Sequence, residues 1–147
     1  MITYRKATTA NIDTIAHFGQ LLYSSDNTSD KLREEADEQL RSSKWAVFLA
    51  LDGDTSVGFC EVSLRNDYVE GTDGETVGYI EGIFVLPEYR GQHIAKELLT
   101  HGENWSRENG CTEIASDCVI DNTDSLRFHL KVGFAEVSRN IHFVKKL

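Results

Sequence analysis

The chain has 147 residues, 40% of them hydrophobic and 10% aromatic, which fits one globular domain with a single core and excludes general disorder. A formal net charge of −9 argues against nucleic acid or an anionic membrane surface as partner; it is compatible with a cationic ligand, though by itself it favours plain solubility. "MITYRKATTANID" lacks an apolar signal-peptide core, no run approaches a membrane span, and Cys60, Cys111 and Cys118 show neither CxxC nor Cys/His ligand spacing; a cytoplasmic protein with reduced thiols and no metal is expected.

In chain order, "MITYRK" alternates like a short strand. "NIDTIAHFGQLLY" places Ile12, Ile15, Ala16, Leu22 and Tyr23 near helical spacing, with Asn11 as the N-cap. "SSDNTSD" reads as a polar turn. Ser29 then caps a second helix to about Arg41, whose carboxylates Asp30, Glu34, Glu35, Asp37 and Glu38 read as a solvated face. "KWAVFLAL" and "SVGFCEVSLR" are apolar strands joined by a hairpin turn at "DGDT". After the polar loop "NDYVEGTDGET" comes the strand "VGYIEGIFV", interrupted by one carboxylate, Glu81. A basic turn leads into the helix "QHIAKELLTHGENWSREN", which Gly110 terminates. "TEIASDCVI" predicts a strand, "DNTDSLRFHLKV" a short helix, and "GFAEVSRNIHFVKK" a terminal pair of strands. No repeat, low-complexity tract or linker interrupts the series, so residues 1–147 form one mixed α/β (α+β) domain.

The turn at Arg90 and Gly91 carries the first chemistry. A helix N-terminus preceded by a cation and a glycine offers free N–H groups, a dipole and close backbone approach to an anion. Neither a Walker pattern nor a GxGxxG fingerprint is present, so neither an ATPase nor a dehydrogenase is supported. By chemistry alone an anion site and an empty strand-to-helix turn remain level alternatives.

The run "IFVLPEYRGQHIAKELL" resembles the acetyl-CoA motif of the GNAT acetyltransferases, with the motif positions on Arg90, Gly91, Gln92, His93, Ile94 and Ala95. His93 stands where that family usually has glycine. "DNTDSLRFHLKVGF" resembles the same family's asparagine-containing helix and following strand, and the resemblance spans essentially the whole chain. It implies a GNAT-like mixed, mostly antiparallel sheet flanked by helices, with acetyl-CoA as co-substrate. "NDYVEGTDGETVGYIEGIFVLPEYR" and "GCTEIASDCVIDNT" are further similar to the short, single-domain aminoglycoside 6'-N-acetyltransferases of bacteria. That likeness implies transfer of acetyl to the 6'-amine of a cationic antibiotic, resistance as the consequence, and a homodimer paired through C-terminal strands. By resemblance the substrate site holds Tyr23, Tyr68, Glu81 and Asp117. The CoA site holds Ile83, Phe84, Val85, Gly91, Gln92, His93, Ile94, Ala95, Lys96 and Asn122. Where the subgroup places another glutamate this chain has Ser138, with Glu136 nearby.

The residues also constrain the chemistry. A carboxylate in an apolar strand is costly unless paired, so Glu81 serves either a cationic ligand or a salt bridge with Arg65 or Arg127. The amine must lose a proton before attack; Glu81 is the first candidate base, directly or through water, and Asp117 the second. Backbone N–H groups around Ile83 to Val85 would hold the oxyanion. His129, where many relatives carry tyrosine, either protonates the departing CoA thiolate or is a satisfied packing histidine. Strand alternation turns Cys118 to the core if Asp117 faces substrate, which counts against a covalent acetyl-cysteine. Two rivals stand: another acceptor (a polyamine, protein amine or small metabolite), or a non-catalytic acyl-CoA-binding domain.

Overall fold

A computed structural model of the chain describes residues 1–23 and 28–147. Strands β1 (Ile2–Lys6), β2 (Trp45–Asp52), β3 (Thr55–Arg65), β4 (Val77–Val85) and β5 (Ile114–Ser116) form one sheet in the order 1-2-3-4-5. The first three pairings are antiparallel and β4–β5 is parallel, so the expected mostly antiparallel mixed sheet is present. Helices α1 (Ile12–Tyr23) and α2 (Ser29–Arg41) precede β2, α3 (Ile94–Glu108) makes the crossover from β4 to β5, and α4 (Thr123–Lys131) follows.

The run "AVFLAL" is continuous rather than alternating because both faces of β2 are covered. Ala46, Phe48 and Ala50 pack with Ile80, Leu98, Leu99 and Trp105 beneath α3. Val47, Leu49 and Leu51 pack with Ile15, Phe18, Ala36 and Phe59 beneath α1 and α2. Each fully buried side chain of this size contributes about 1.5–3 kcal/mol. Helix α3 lies close against β4: a Cβ at Gly78 would come within 2.2 Å of Ser106 Oγ, so glycine is required there.

Several expectations need correction. The cap at the first helix is Thr8, whose hydroxyl accepts from Ala10 N–H at the head of a 3-10 turn, while Asn11 accepts from Thr8 N–H. Thr28, not Ser29, caps α2 by accepting from Lys31 N–H. Thr8 lies three residues before Asn11 and Thr28 one residue before Ser29, and each has the extended backbone that a cap requires. Most of the turn predicted at "SSDNTSD" lies outside the described residues. The strand after α3 is three residues long and stops at Ser116. No strand forms after β5 among the described residues, and Ile141, Phe143 and Val144 stand exposed where a terminal pair was expected. The apolar alternation there is real, but a strand needs a neighbour for its N–H and C=O groups, and among the described residues none pairs with this segment. Among the described residues no helix is long and apolar enough to cross a membrane.

Candidate active site

The site originates in an irregularity of β4. Glu61 pairs with Gly82 and Val62 with Ile80, which leaves Glu81 opposite no residue, as a bulge. The extra residue shifts the alternation, so Ile80 and Ile83 both pack toward α3 while Phe84 packs toward α1. Gly82 opens the space beside it: a Cβ there would lie 2.5 Å from the Tyr23 hydroxyl and 2.9 Å from Glu61 Oε1.

Around the bulge, polar groups link one to the next. The Glu81 carboxylate accepts from Arg65 Nε at 2.8 Å, from Arg65 Nη2 at 2.9 Å and from Ser63 Oγ at 2.8 Å. Of the two salt-bridge partners open in the sequence, Arg65 is the one used; Arg127 lies 3.7 Å from Asp124 instead. The Arg65 guanidinium stacks 3.4 Å over the centre of the Tyr79 ring, and the Tyr79 hydroxyl donates to Asp117. On the other side Tyr23 Oη lies 2.9 Å from the Glu81 carbonyl oxygen and 3.1 Å from Glu61 Oε1. Tyr23, Glu81 and Asp117 are thus gathered in one connected set, whereas Tyr68 is 83% exposed and takes no part in these contacts.

Burial sets the protonation of this cluster. Glu61 is buried, and desolvation pushes its carboxyl up to about 7; the Tyr23 hydrogen bond opposes this, while Glu81 and Glu35 add to it. Tyr23 is held well above the ordinary tyrosine range, first by burial and then by the Glu61 charge. Tyr79 is raised by burial and by its bond to Asp117. Both tyrosines therefore remain hydroxyl donors near neutral pH. A cavity of about 280 Å³ opens here, lined by Gly19, Tyr23, Glu35, Trp45, Glu61 and Glu81 among others. Carboxylates, aromatic faces and no cation make a lining suited to an ammonium group.

A second cleft, of about 250 Å³, lies at the start of α3 and is lined by Val85, Arg90, Gly91, His93, Lys96 and Lys131 among others. Two lysines and the free N–H groups of a helix N-terminus suit phosphate. Gly91 has φ 81° with open space at its Cβ position, and His93 is left-handed at φ 64°. The position where glycine was expected therefore has the backbone that favours glycine. Arg90 turns inward, its Nε donating to Val85 O at 2.9 Å, and so fixes the turn. The edge of β4 beyond Ile80 has no partner in β5, which leaves backbone groups of Ile83 to Val85 open to an extended ligand. Asn122 is the N-cap of α4, accepting from Ser125 N–H at 3.1 Å. Gln92 is exposed at the turn.

His129 has both ring nitrogens engaged. Nδ1–H donates to Ser125 O at 2.6 Å, so Nε2 is the nitrogen facing Ser116 Oγ at 2.8 Å. Cys118 is exposed rather than turned to the core, because β5 ends before it and strand alternation no longer applies. Ser63, Glu61 and Tyr79 were not anticipated. Glu61 carries the same signal as Glu81, a lone carboxylate in an apolar strand, and was legible by the same reasoning.

An acidic cavity and a turn suited to an anion, on one strand of a mixed sheet, fit an N-acyltransferase of the GNAT type. The chain matches the Acetyltransferase (GNAT) family over residues 14–134 and belongs to that family. Within it, the similarity is to enzymes that act on aminoglycosides. The aminoglycoside N(6')-acetyltransferase type 1 of Stenotrophomonas maltophilia is 38% identical over 143 residues, 96% of this chain and 91% of that protein. AAC(6')-Iy, solved in complex with the bisubstrate analogue CoA-S-monomethyl-acetylneamine, superposes with a TM-score of 0.93 at 31% identity, over 100% of this chain and 99% of that one. AAC(6')-Ih from Acinetobacter baumannii gives 0.92 at 31% identity, again over 100% and 99%.

Proposed function

We propose that this chain transfers the acetyl group of acetyl-CoA directly to the 6'-amine of aminoglycosides, and so confers resistance to them. One observation carries this beyond the family: β4 runs from the acidic cavity at Glu81 to the anion cleft at Val85, within four residues, so a polycation and a CoA thioester meet on a single strand. Acetyl-CoA lies with its pyrophosphate on the amides from Gly91 to Lys96 and its pantetheine along the open edge of Ile83 to Val85. Gln92, His93, Ile94 and Ala95 contribute backbone rather than side chains. Asn122 orients the α4 end of the cleft.

The aminoglycoside lies against Tyr23, Glu81 and Asp117, with Tyr68 at the outer rim. Glu81 and Asp117 hold its ammonium groups. Attack of the neutral amine on the thioester carbon breaks the carbonyl π bond, and N–H groups near Ile83 to Val85 hold the resulting oxyanion. Collapse expels the CoA thiolate. Because Nδ1–H of His129 is committed to Ser125, Nε2 carries no proton; by way of Ser116 it takes the proton that the attacking nitrogen sheds and passes it to the thiolate. Holding both substrates in attack geometry contributes several kcal/mol by itself.

The enzyme works in the cytoplasm, where acetyl-CoA is available and the thiols of Cys60, Cys111 and Cys118 stay reduced. It works as a homodimer. The exposed apolar residues Val137, Ile141, Phe143 and Val144, together with the unpaired outer edge of β5, supply a segment and an edge that a second copy would cover.

The test is thiol release from acetyl-CoA with two matched aminoglycosides, one bearing a 6'-amine and its analogue a 6'-hydroxyl. Turnover on the amine alone is expected. Turnover on a polyamine or peptide amine but on neither aminoglycoside would move the acceptor to another class. Binding of acetyl-CoA without turnover on any amine would make the domain a binding module.

A further inference from the structure

The proposed reaction needs a group that removes a proton from the acceptor ammonium. Glu81 is poorly placed for this. Arg65 engages both of its oxygens and Ser63 adds a third hydrogen bond, so protonating Glu81 would leave the guanidinium beside a neutral acid. Asp117 is already an acceptor from Tyr79.

Glu61 is differently situated. It is 5% exposed, and among the described residues no Lys, Arg or His pairs with it. Its Oε1 faces the Tyr23 hydroxyl at 3.1 Å, and the Tyr23 side chain is half exposed at the mouth of the acidic cavity. The groups facing Glu61 are Tyr23 from α1, Glu35 from α2 and Glu81 from β4; β2 presents Val47 to it and no charge. Tyr23 has one proton and two acceptors within reach, Glu61 Oε1 and the Glu81 carbonyl. When Glu61 is ionised the proton points to Glu61, and the lone pairs of Tyr23 Oη turn toward the cavity. When Glu61 is protonated it donates to Tyr23, and Tyr23 donates to the Glu81 carbonyl. The hydroxyl is therefore a two-way link between a buried carboxylate and the substrate face.

We propose that Glu61, acting through the Tyr23 hydroxyl, takes the proton that the acceptor ammonium loses before it attacks the thioester. This rests on the acetyl-transfer reading above. In the step, one N–H bond of the ammonium breaks and its electron pair stays on nitrogen. The proton passes to Tyr23 Oη while the Tyr23 O–H proton passes to Glu61 Oε1. Tyr23 ends neutral, Glu61 ends as the acid, and the amine is ready to attack. Once the uncharged amide leaves, the same link returns the proton to water. Tyr23 touches the substrate in this scheme; Glu61 is a positioning and proton-holding residue behind it. A carboxyl raised to near neutrality is matched to the task, because an acceptor works best when its pKa lies near the working pH.

The experiment measures kcat and KM for a 6'-amino aminoglycoside at saturating acetyl-CoA across the neutral pH range, for the natural protein, Glu61→Gln and Tyr23→Phe. The kcat profile is the informative one, since titration of the free amine enters kcat/KM but not kcat. In the natural protein kcat falls on the acid side as Glu61 protonates. Both variants are expected to lose about 10²–10⁴-fold in kcat, to lose that acid limb and to bind acetyl-CoA normally by calorimetry. If Glu61→Gln does not fold, Tyr23→Phe, altered at a half-exposed position, carries the same expectation. A folded variant that keeps the kcat and acid limb of the natural protein overturns the proposal. So does a higher KM at unchanged kcat, which would make Glu61 a cation-binding group. Inactivity of the natural protein on every aminoglycoside would instead overturn the functional reading on which the relay depends.

Discussion

Glu81 receives hydrogen bonds from Arg65 at two points and from Ser63 at a third, which takes up most of the acceptor capacity of one carboxylate. The same guanidinium stacks on Tyr79, whose hydroxyl donates to Asp117, so Arg65 links the carboxylates of Glu81 and Asp117 through one ring. Replacing Arg65 by methionine keeps much of the stem and removes the charge. It is expected to cost about 1–2 kcal/mol in urea unfolding, toward the low end for a charged hydrogen bond because Arg65 is partly exposed. It should also raise KM for the acceptor and leave acetyl-CoA affinity unchanged. Glu61 gives a prediction of its own. Its carboxyl rises from the usual 4.5 to about 7 in the fold, so ionisation is disfavoured there. The stability it contributes is full below the unfolded value and falls as pH climbs through the folded value. Glu61→Gln removes that dependence: against the natural protein it should match in stability near pH 4.5 and be more stable by about 3 kcal/mol above pH 7, read from urea midpoints. An equal difference at both pH values would contradict the buried, unpaired state of Glu61. The sequence exposed both carboxylates as misfits in apolar strands, but not Arg65 as the partner in use, because choosing it over Arg127 requires the β3–β4 register.

At the level of elements, the turn before α3 shows how a backbone role survives an unfavourable side chain. His93 has φ 64° at the N-cap position, outside the region L residues prefer, and its side chain makes no capping hydrogen bond. His93→Gly relieves about 1–2 kcal/mol of that strain and forfeits about 0.5–1 kcal/mol through the freer unfolded chain. A net rise in Tm of about 2–4 °C is expected, and a fall would contradict the left-handed assignment. The helices, the hairpin and the β4 strand were legible because their apolar spacing and glycines are local signals. The bulge at Glu81 was not, because it exists only in the pairing of two strands. The three-residue β5 was overestimated for a similar reason: "TEIASDCVI" is apolar enough for a longer strand, but pairing with β4 stops at Ser116.

For the molecule as a whole, the predicted terminal strands mark the boundary of what one chain explains. Their alternation is present in the sequence, yet among the described residues they join no sheet and leave Ile141, Phe143 and Val144 exposed. Exposed apolar residues next to an open sheet edge call for a partner, and a second copy is the simplest one. Light scattering should give twice the mass of one chain, and the double substitution Ile141→Asp, Phe143→Asp should give a monomer. A monomeric natural protein would remove the dimer from the account. The central claim, that the acidic cavity presents a 6'-amine to a thioester on β4, is tested most directly by NMR of the product formed from acetyl-CoA and a polyamine aminoglycoside that bears several amines. One acetyl group is expected, on the 6'-nitrogen alone. Acetyl on another amine, or a mixture of positions, would contradict it.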